Sequence, residues 1–172
     1  MELTKLGWNS NLNQQFAPHY AKGLVPARVA VEDKLFFRVW TAEAELLAQF
    51  SGKCIHEARR SNSKFPKVGD WVAVKLVPNE EKAVIQAILP RRTQLSRKMI
   101  GHGASEQILA TNIDTAFLVT AADMSFDTAV LSQMLVVAHE SGARPVVVLN
   151  KIDLCEDLDA KLATRSSHKS IL

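Results

Sequence analysis

The chain has 172 residues, 47% hydrophobic and 23% charged, a composition that excludes wholesale disorder and suits one domain or two small ones. No apolar run approaches the ~20 residues that cross a bilayer, and MELTKLGWNSNLNQQF lacks the apolar core and small-residue cleavage site of a signal peptide, so a cytoplasmic protein with no membrane partner is expected. Cys54 and Cys155 have no C-x-x-C or C-x-x-H companion, so they read as buried or free thiols rather than zinc ligands or a disulfide framework.

The formal charge of +3 divides unevenly. Residues 1–110 hold 16 Lys and Arg against 10 Asp and Glu, a net of +6, and residues 111–172 hold 5 against 8, a net of −3. Basic residues cluster at Arg59 and Arg60, at Lys64 and Lys67, at Arg91 and Arg92, and at Arg97 and Lys98. Such a surface attracts a polyanion through a sequence-independent, salt-sensitive term. A solvated face accounts for the same residues, and charge alone does not choose between the two.

Residues 1–23 read as an N-terminal arm. From residue 24 to 92 the chain reads as β structure: GLVPARVAVED, KLFFRVWTA, AELLAQFSGK, DWVAVKLVP and KAVIQAILP are short runs rich in β-branched and aromatic residues, separated by turn formers. Five strands at this spacing predict a small closed barrel of OB type, whose strand face and loops are suited to oligonucleotides. Between the third and fourth runs, EARRSNSKFPKVGDW reads as an exposed, mobile loop that carries half of the basic clusters. Phe36 and Phe37 are adjacent, so along a strand they point to opposite faces; burial is the general expectation for most of these aromatic residues.

Residues 93–112 read as a linker. The stretch RRTQLSRKMIGHGASEQILATN has two glycines, mixed polarity and no stable period, and GHGASEQ fits neither phosphate-binding glycine pattern. His102, between those glycines, has no paired nucleophile or orienting acid and reads as a solvated side chain. From residue 113 to 172 the pattern becomes α/β. IDTAFLVTA is a nearly continuous apolar run, FDTAVLSQMLVVAHESGARP places Val130, Leu131, Met134, Leu135 and Ala138 at helical spacing, and VVVLN forms a second buried strand. Asp127 or Ser125 caps the helix and Gly142 ends it. The unit is expected to be parallel, with a ligand beyond the carboxyl end of its second strand, where Asn150, Lys151, Ile152 and Asp153 lie.

Those residues suit guanine. The base presents two adjacent donors, the ring N–H and the exocyclic amine, and the two oxygens of an ionised Asp153 accept from both. Adenine offers no such pair, so a carboxylate would face its ring acceptor at a large cost in affinity. Asn150 can donate toward the opposite edge of guanine or tie loops together, and the Lys151 stem can lie across the base plane.

Long ordered stretches then carry a resemblance: LGWN near the start, FPKVGDWVAV in the barrel, AVIQAILPRRTQLSRK at its exit, EQILATNIDTAFLVTAADMSFD, and ESGARPVVVLNKIDLCEDL. Over about Leu6 to Leu162 the chain resembles the ribosome small-subunit-dependent GTPase A family, the circularly permuted GTPases of bacterial ribosome assembly. The resemblance implies an OB domain followed by a GTPase domain whose guanine motif precedes its phosphate loop, switch regions and zinc domain. It also implies guanine contacts for Asn150, Lys151 and Asp153, and small-subunit ribosomal RNA as the partner of the barrel. The sequence contains no G-x-x-x-x-G-K-[ST], switch motif or downstream Cys/His cluster, so no residue is assigned to catalysis or metal binding. GTP or GDP binding is expected to be weak or lost, with magnesium and zinc expected only in the intact family protein. The final ATRSSHKSIL reads as an abrupt end, such as a cloning boundary, a frameshift or a degraded gene copy would leave, so apolar faces of an incomplete α/β unit are expected to be exposed. The alternative reading is a non-catalytic RNA-binding OB module with a vestigial guanine site.

Overall fold

The computed structural model describes residues 2–34, 36–60, 65–98, 106–123 and 126–155. The chain divides into two compact units, Met1–Asn112 and Ile113–Leu172. In the first, strands β1 (Val25–Asp33), β2 (Phe36–Trp40), β3 (Glu45–Phe50), β4 (Trp71–Leu76) and β5 (Lys82–Ile88) close into a barrel in the order β1-β2-β3-β5-β4. All neighbours are antiparallel except β3 and β5, which run parallel, and β1 closes on β4. This is the expected OB-type barrel. Register shifts at Val29/Val31 in β1 and, facing Ala73/Val74 of β4, between Ile85 and Ala87 in β5 mark bulges, which bend strands and strengthen their twist where a barrel must curve.

Alternation fills the interior: Ala27 and Val29 from β1, Phe37 and Val39 from β2, Leu46, Ala48 and Phe50 from β3, Val72 and Val74 from β4, and Ala83 and Ile85 from β5. Each such Val, Ile or Phe contributes roughly 1.5–3 kcal/mol by leaving water. Strand β4 is buried on both faces, because Trp71 and Ala73 point outward into a second cluster with Phe16, Leu24 and Leu89. Trp8 and Leu12 pack against that cluster. Trp8 meets Trp71 edge-on at 4.8 Å and Phe16 at 5.7 Å between ring centroids.

Residues 1–23, expected as an arm, are thus part of the packed unit. Helix α1 (Ser10–Tyr20) begins where the Asn9 side chain accepts from Leu12 N at 3.0 Å, and its Phe16 is fully buried. The loop expected after β3 opens instead with helix α2 (Gly52–Arg60), whose start is fixed by Ser51: its Oγ accepts from Cys54 N and its carbonyl from Ile55 N. Cys54 and Ile55 face the barrel core, and that apolar contact anchors a helix that is otherwise polar. Within the span expected as a linker, β6 (Gln94–Lys98) and β7 (Glu106–Thr111) pair antiparallel. Gly101, His102 and Gly103 lie outside the described residues.

The second unit contains β8 (Thr115–Ala121), α3 (Thr128–Glu140) and β9 (Arg144–Asn150), with β8 and β9 parallel from Thr115↔Arg144 to Ala121↔Asn150. Asp127 caps α3 by accepting from Ala129 N and Val130 N, and Gly142 follows its end with φ +79°; Ser125 lies outside the described residues. Leu131 and Ala138 of α3 are buried, whereas Phe117 and Val119 on β8 and Val148 on β9 are exposed, Phe117 by 68%. One sheet face is therefore apolar and open among the described residues.

Candidate guanine site and basic surface

Asn150 is the last residue of β9, and its carbonyl accepts from Ala122 N at 2.8 Å, which locks the carboxyl ends of β8 and β9 together. Lys151 then takes the left-handed conformation at φ +56°, a strain of roughly 1–2 kcal/mol for a residue with a Cβ. The Asn150 Oδ1 offsets part of it by accepting from Lys151 N at 2.9 Å. The reversal leads into a single 3-10 turn, Ile152–Leu154, closed by Leu154 N donating to Lys151 O. Asp153 is thereby displayed just past the sheet, exposed and with no donor on its carboxylate among the described residues. The Lys151 ammonium reaches Asp123, beyond β8, at 3.3 Å.

This arrangement fits a guanine base: two free acceptor oxygens on Asp153, a backbone already turned by the Asn150 side chain, and a lysine stem held alongside. Asn150, Lys151 and Asp153 are brought together as their spacing implies. Asp123, 28 residues earlier, was missed, because no local pattern pairs it with Lys151.

The basic candidates fare unevenly. Lys64 lies outside the described residues, as do the side chains of Arg59 and Arg60 at the end of α2 and of Lys98 on β6. Lys67 is half-buried and pairs with Glu32 at 2.6 Å. Arg91 is not a surface contact residue: its side chain is 4% exposed and forks onto the fully buried Asp70, Nε to Oδ1 at 2.8 Å and Nη2 to Oδ2 at 2.6 Å. Asp70 also accepts from Lys67 N and Thr111 Oγ1, and Arg91 donates further to Phe65 O. A bidentate, desolvated pair of this kind is a structural tie. Arg92 and Arg97 are exposed, Arg97 donating to Gln107 at 3.0 Å.

Two other features of the first unit bear on ligand binding: the opposite facing of Phe36 and Phe37, which their adjacency implied, and a cleft that no sequence pattern marked. On β2, Phe37 is 3% exposed in the core while Phe36 is 45% exposed on the outer face. Register places Phe36, Arg38 and Trp40 of β2 opposite Gln49, Leu47 and Glu45 of β3, so this wall carries aromatic, cationic and polar groups together. Glu45 joins it by accepting from Trp40 Nε1 at 2.8 Å and pairing with Arg38 at 3.3 Å. Separately, His19, Lys22, Lys53 and Lys75 line a cleft with Leu24, Cys54, Gln86 and Ala87.

The chain thus joins an OB-type barrel to a parallel strand-helix-strand unit that ends in Asn-Lys-x-Asp, the order of parts that the resemblance to the circularly permuted GTPases implies. Residues 88–171 match the model of the family described as RsgA GTPase. The chain is 41% identical over 165 residues to the small ribosomal subunit biogenesis GTPase RsgA of Opitutus terrae, covering 91% of this chain and 45% of that one. It is 35% identical to the protein of the same name from Syntrophotalea carbinolica, covering 95% and 46%. Among solved structures, YjeQ from Thermotoga maritima matches with a TM-score of 0.59 at 26% identity over 84% of this chain and 47% of that one. YloQ, a circularly permuted GTPase, matches in fold with a TM-score of 0.58 at 22% identity over 84% and 46%. The chain belongs to the RsgA GTPase family, and it spans about half the length of the curated relatives it matches.

Proposed function

We propose that this chain carries the RNA-facing barrel and the guanine-reading strand of a GTPase that acts in small ribosomal subunit assembly in the cytoplasm. The observation that carries the reading is the open Asp153 carboxylate, displayed beyond the carboxyl ends of two parallel strands by the turn that Asn150 and Lys151 build. Open α/β sheets bind ligands at that edge. The names of the relatives support a guanine nucleotide and the small subunit as partners.

On this reading Asn150, Lys151 and Asp153 select the base, and hydrolysis belongs to phosphate-binding residues outside the motifs of this sequence. Much of a nucleotide's affinity comes from phosphates seated on a helix N-terminus, so the base site alone holds GDP weakly. RNA contact is supported by the outer wall of β2 and β3, where Phe36, Trp40 and Arg38 supply stacking faces and a cation, and by exposed Arg92 and Arg97. Arg59, Arg60, Lys64 and Lys98 remain candidates for the same contact.

Calorimetric titration with GDP, with ATP as control, tests the base site. Weak binding of GDP in excess of ATP is expected. Equal binding of the two would overturn guanine selectivity, and sub-micromolar GDP binding would overturn the assignment of most affinity to phosphate contacts.

A further inference from the structure

The carboxyl ends of β8 and β9 lie side by side, Ala121 opposite Asn150, and Ala122 N donates to Asn150 O to hold them there. An acidic residue stands beyond each strand, Asp123 after β8 and Asp153 after β9. Lys151 is the cation placed to answer either of them. Its Nζ stands 3.3 Å from Asp123 Oδ2, across the strand ends, and not on Asp153, its near neighbour in sequence. Asp123 is the fixed partner of the pair: its carbonyl accepts from Phe126 N at 3.1 Å, and its side chain is 22% exposed against 54% for Lys151.

An ammonium on a flexible four-carbon stem pairs with whichever carboxylate is within its reach. A lysine paired with Asp153 would occupy acceptor oxygens that the two donors of guanine need, and the base would have to displace it. Asp123 removes that competitor by engaging the Lys151 charge on the β8 side. The same pair draws the lysine stem from the end of β9 across to the end of β8, so its methylenes lie as an apolar shelf over the strand ends. A free lysine loses rotamer freedom when a ligand settles on it. A tethered one has lost part of that freedom beforehand, which favours the complex.

We propose that Asp123 is a positioning residue for base recognition: it holds the Lys151 ammonium off the Asp153 carboxylate and lays the lysine stem across the strand ends, where the purine ring rests. It touches no ligand and acts through Lys151. The inference rests on the guanine reading of the turn from Asn150 to Asp153 proposed above.

The test is a double-mutant cycle on GDP affinity, with GDP titrated into the 15N-labelled full chain and the Ile152 and Asp153 amides followed. Its corners are the parent, Asp123→Ala, Lys151→Met and the double variant. ADP on the parent is the base control, and Asp123→Asn removes the charge while keeping the shape of the side chain. Asp123→Ala should weaken GDP binding by about 3-fold, the scale of an exposed ion pair, and Asp123→Asn should weaken it in the same direction. With Lys151→Met in place no ammonium is left to divert, so adding Asp123→Ala should change the affinity by less than about 1.5-fold. An equal loss on both backgrounds would make Asp123 a residue that merely shapes the turn after β8, and would overturn the positioning role. If the parent prefers GDP to ADP and Asp123→Ala or Asp123→Asn binds GDP as the parent does, the positioning role falls and the guanine reading stands. If the parent responds to neither nucleotide, or to both alike, both fall.

Discussion

Replacing Asp70 by alanine removes the acceptor of four hydrogen bonds, from Lys67 N, Thr111 Oγ1 and two nitrogens of Arg91, and leaves a guanidinium only 4% exposed without its counter-charge. Breaking a buried pair from one side costs about 3–5 kcal/mol. That is a fifth or more of the roughly 5–15 kcal/mol that holds a domain folded. At about 4 °C or more per kcal/mol for a unit near 100 residues, Asp70→Ala should lower the melting temperature of the barrel unit by at least about 12 °C. Trp8, Trp40 and Trp71 all lie in that unit, so tryptophan fluorescence follows its unfolding separately from the second unit. The double variant Asp70→Leu/Arg91→Met removes both charges and should recover most of the loss, since an apolar replacement of a buried pair is often neutral. A shift of only a few degrees for Asp70→Ala, or a double variant as unstable as the single, would refute the view of Arg91 as a structural residue.

Gly69 has φ +92°, and a Cβ there would stand 2.0 Å from the Thr111 carbonyl oxygen, so Gly69→Ala should destabilise the barrel about as severely as loss of Asp70; urea denaturation with little change in midpoint would contradict the packing described. Phe37→Ala should cost about 3–5 kcal/mol as a core cavity, whereas exposed Phe36→Ala should leave the melting temperature nearly unchanged and weaken RNA binding by roughly 1–3 kcal/mol if a base stacks there. Paired melting and anisotropy measurements separate the two. Because the pKa of His19 is lowered in the fold, the unfolded chain binds the proton more readily; the contribution is neutral above pH 6.5 and destabilising as pH falls through 6.5 toward the folded value. His19→Gln should therefore flatten the decline in barrel stability between pH 7.5 and 5.5, and a parallel decline in both proteins would remove His19 as its cause.

The parts of the fold legible in sequence are those where period and burial coincide. Val72 and Val74, Phe37 and Val39, and Leu46 and Ala48 alternate into one core, and the five barrel strands were legible as short β-branched and aromatic runs between turn formers. The parallel β8–β9 pair was legible because both strands are near-continuous apolar runs. Helix α2 was hidden because KCIHEARR is short and polar on average, and its order derives from Ser51 capping and from Cys54 and Ile55 against the barrel. Helix α1 was hidden in the same way: SNLNQQFAPHY offers one large buried anchor, Phe16, whose burial depends on Trp71 fifty-five residues later.

In the candidate sites, Asn150, Lys151 and Asp153 were readable as a group since the three residues proposed to meet the base lie within four consecutive positions. Arg91 and Arg92 were indistinguishable by sequence, and only tertiary structure turns one inward to Asp70 and leaves the other exposed. The lysine cleft was invisible for the same reason, its members being spread from residue 19 to residue 87.

The central claim, that the turn after β9 reads guanine, is tested most directly by titrating 15N-labelled chain with GDP and, in parallel, with ADP, in the parent and in Asp153→Asn. The account predicts that millimolar GDP shifts the amides of Ala122, Lys151, Ile152 and Asp153 in the parent, that ADP leaves them in place, and that the GDP response is lost in the variant, where a donor amide replaces one acceptor oxygen. Equal responses to GDP and ADP, or a GDP response unchanged by Asp153→Asn, would contradict it.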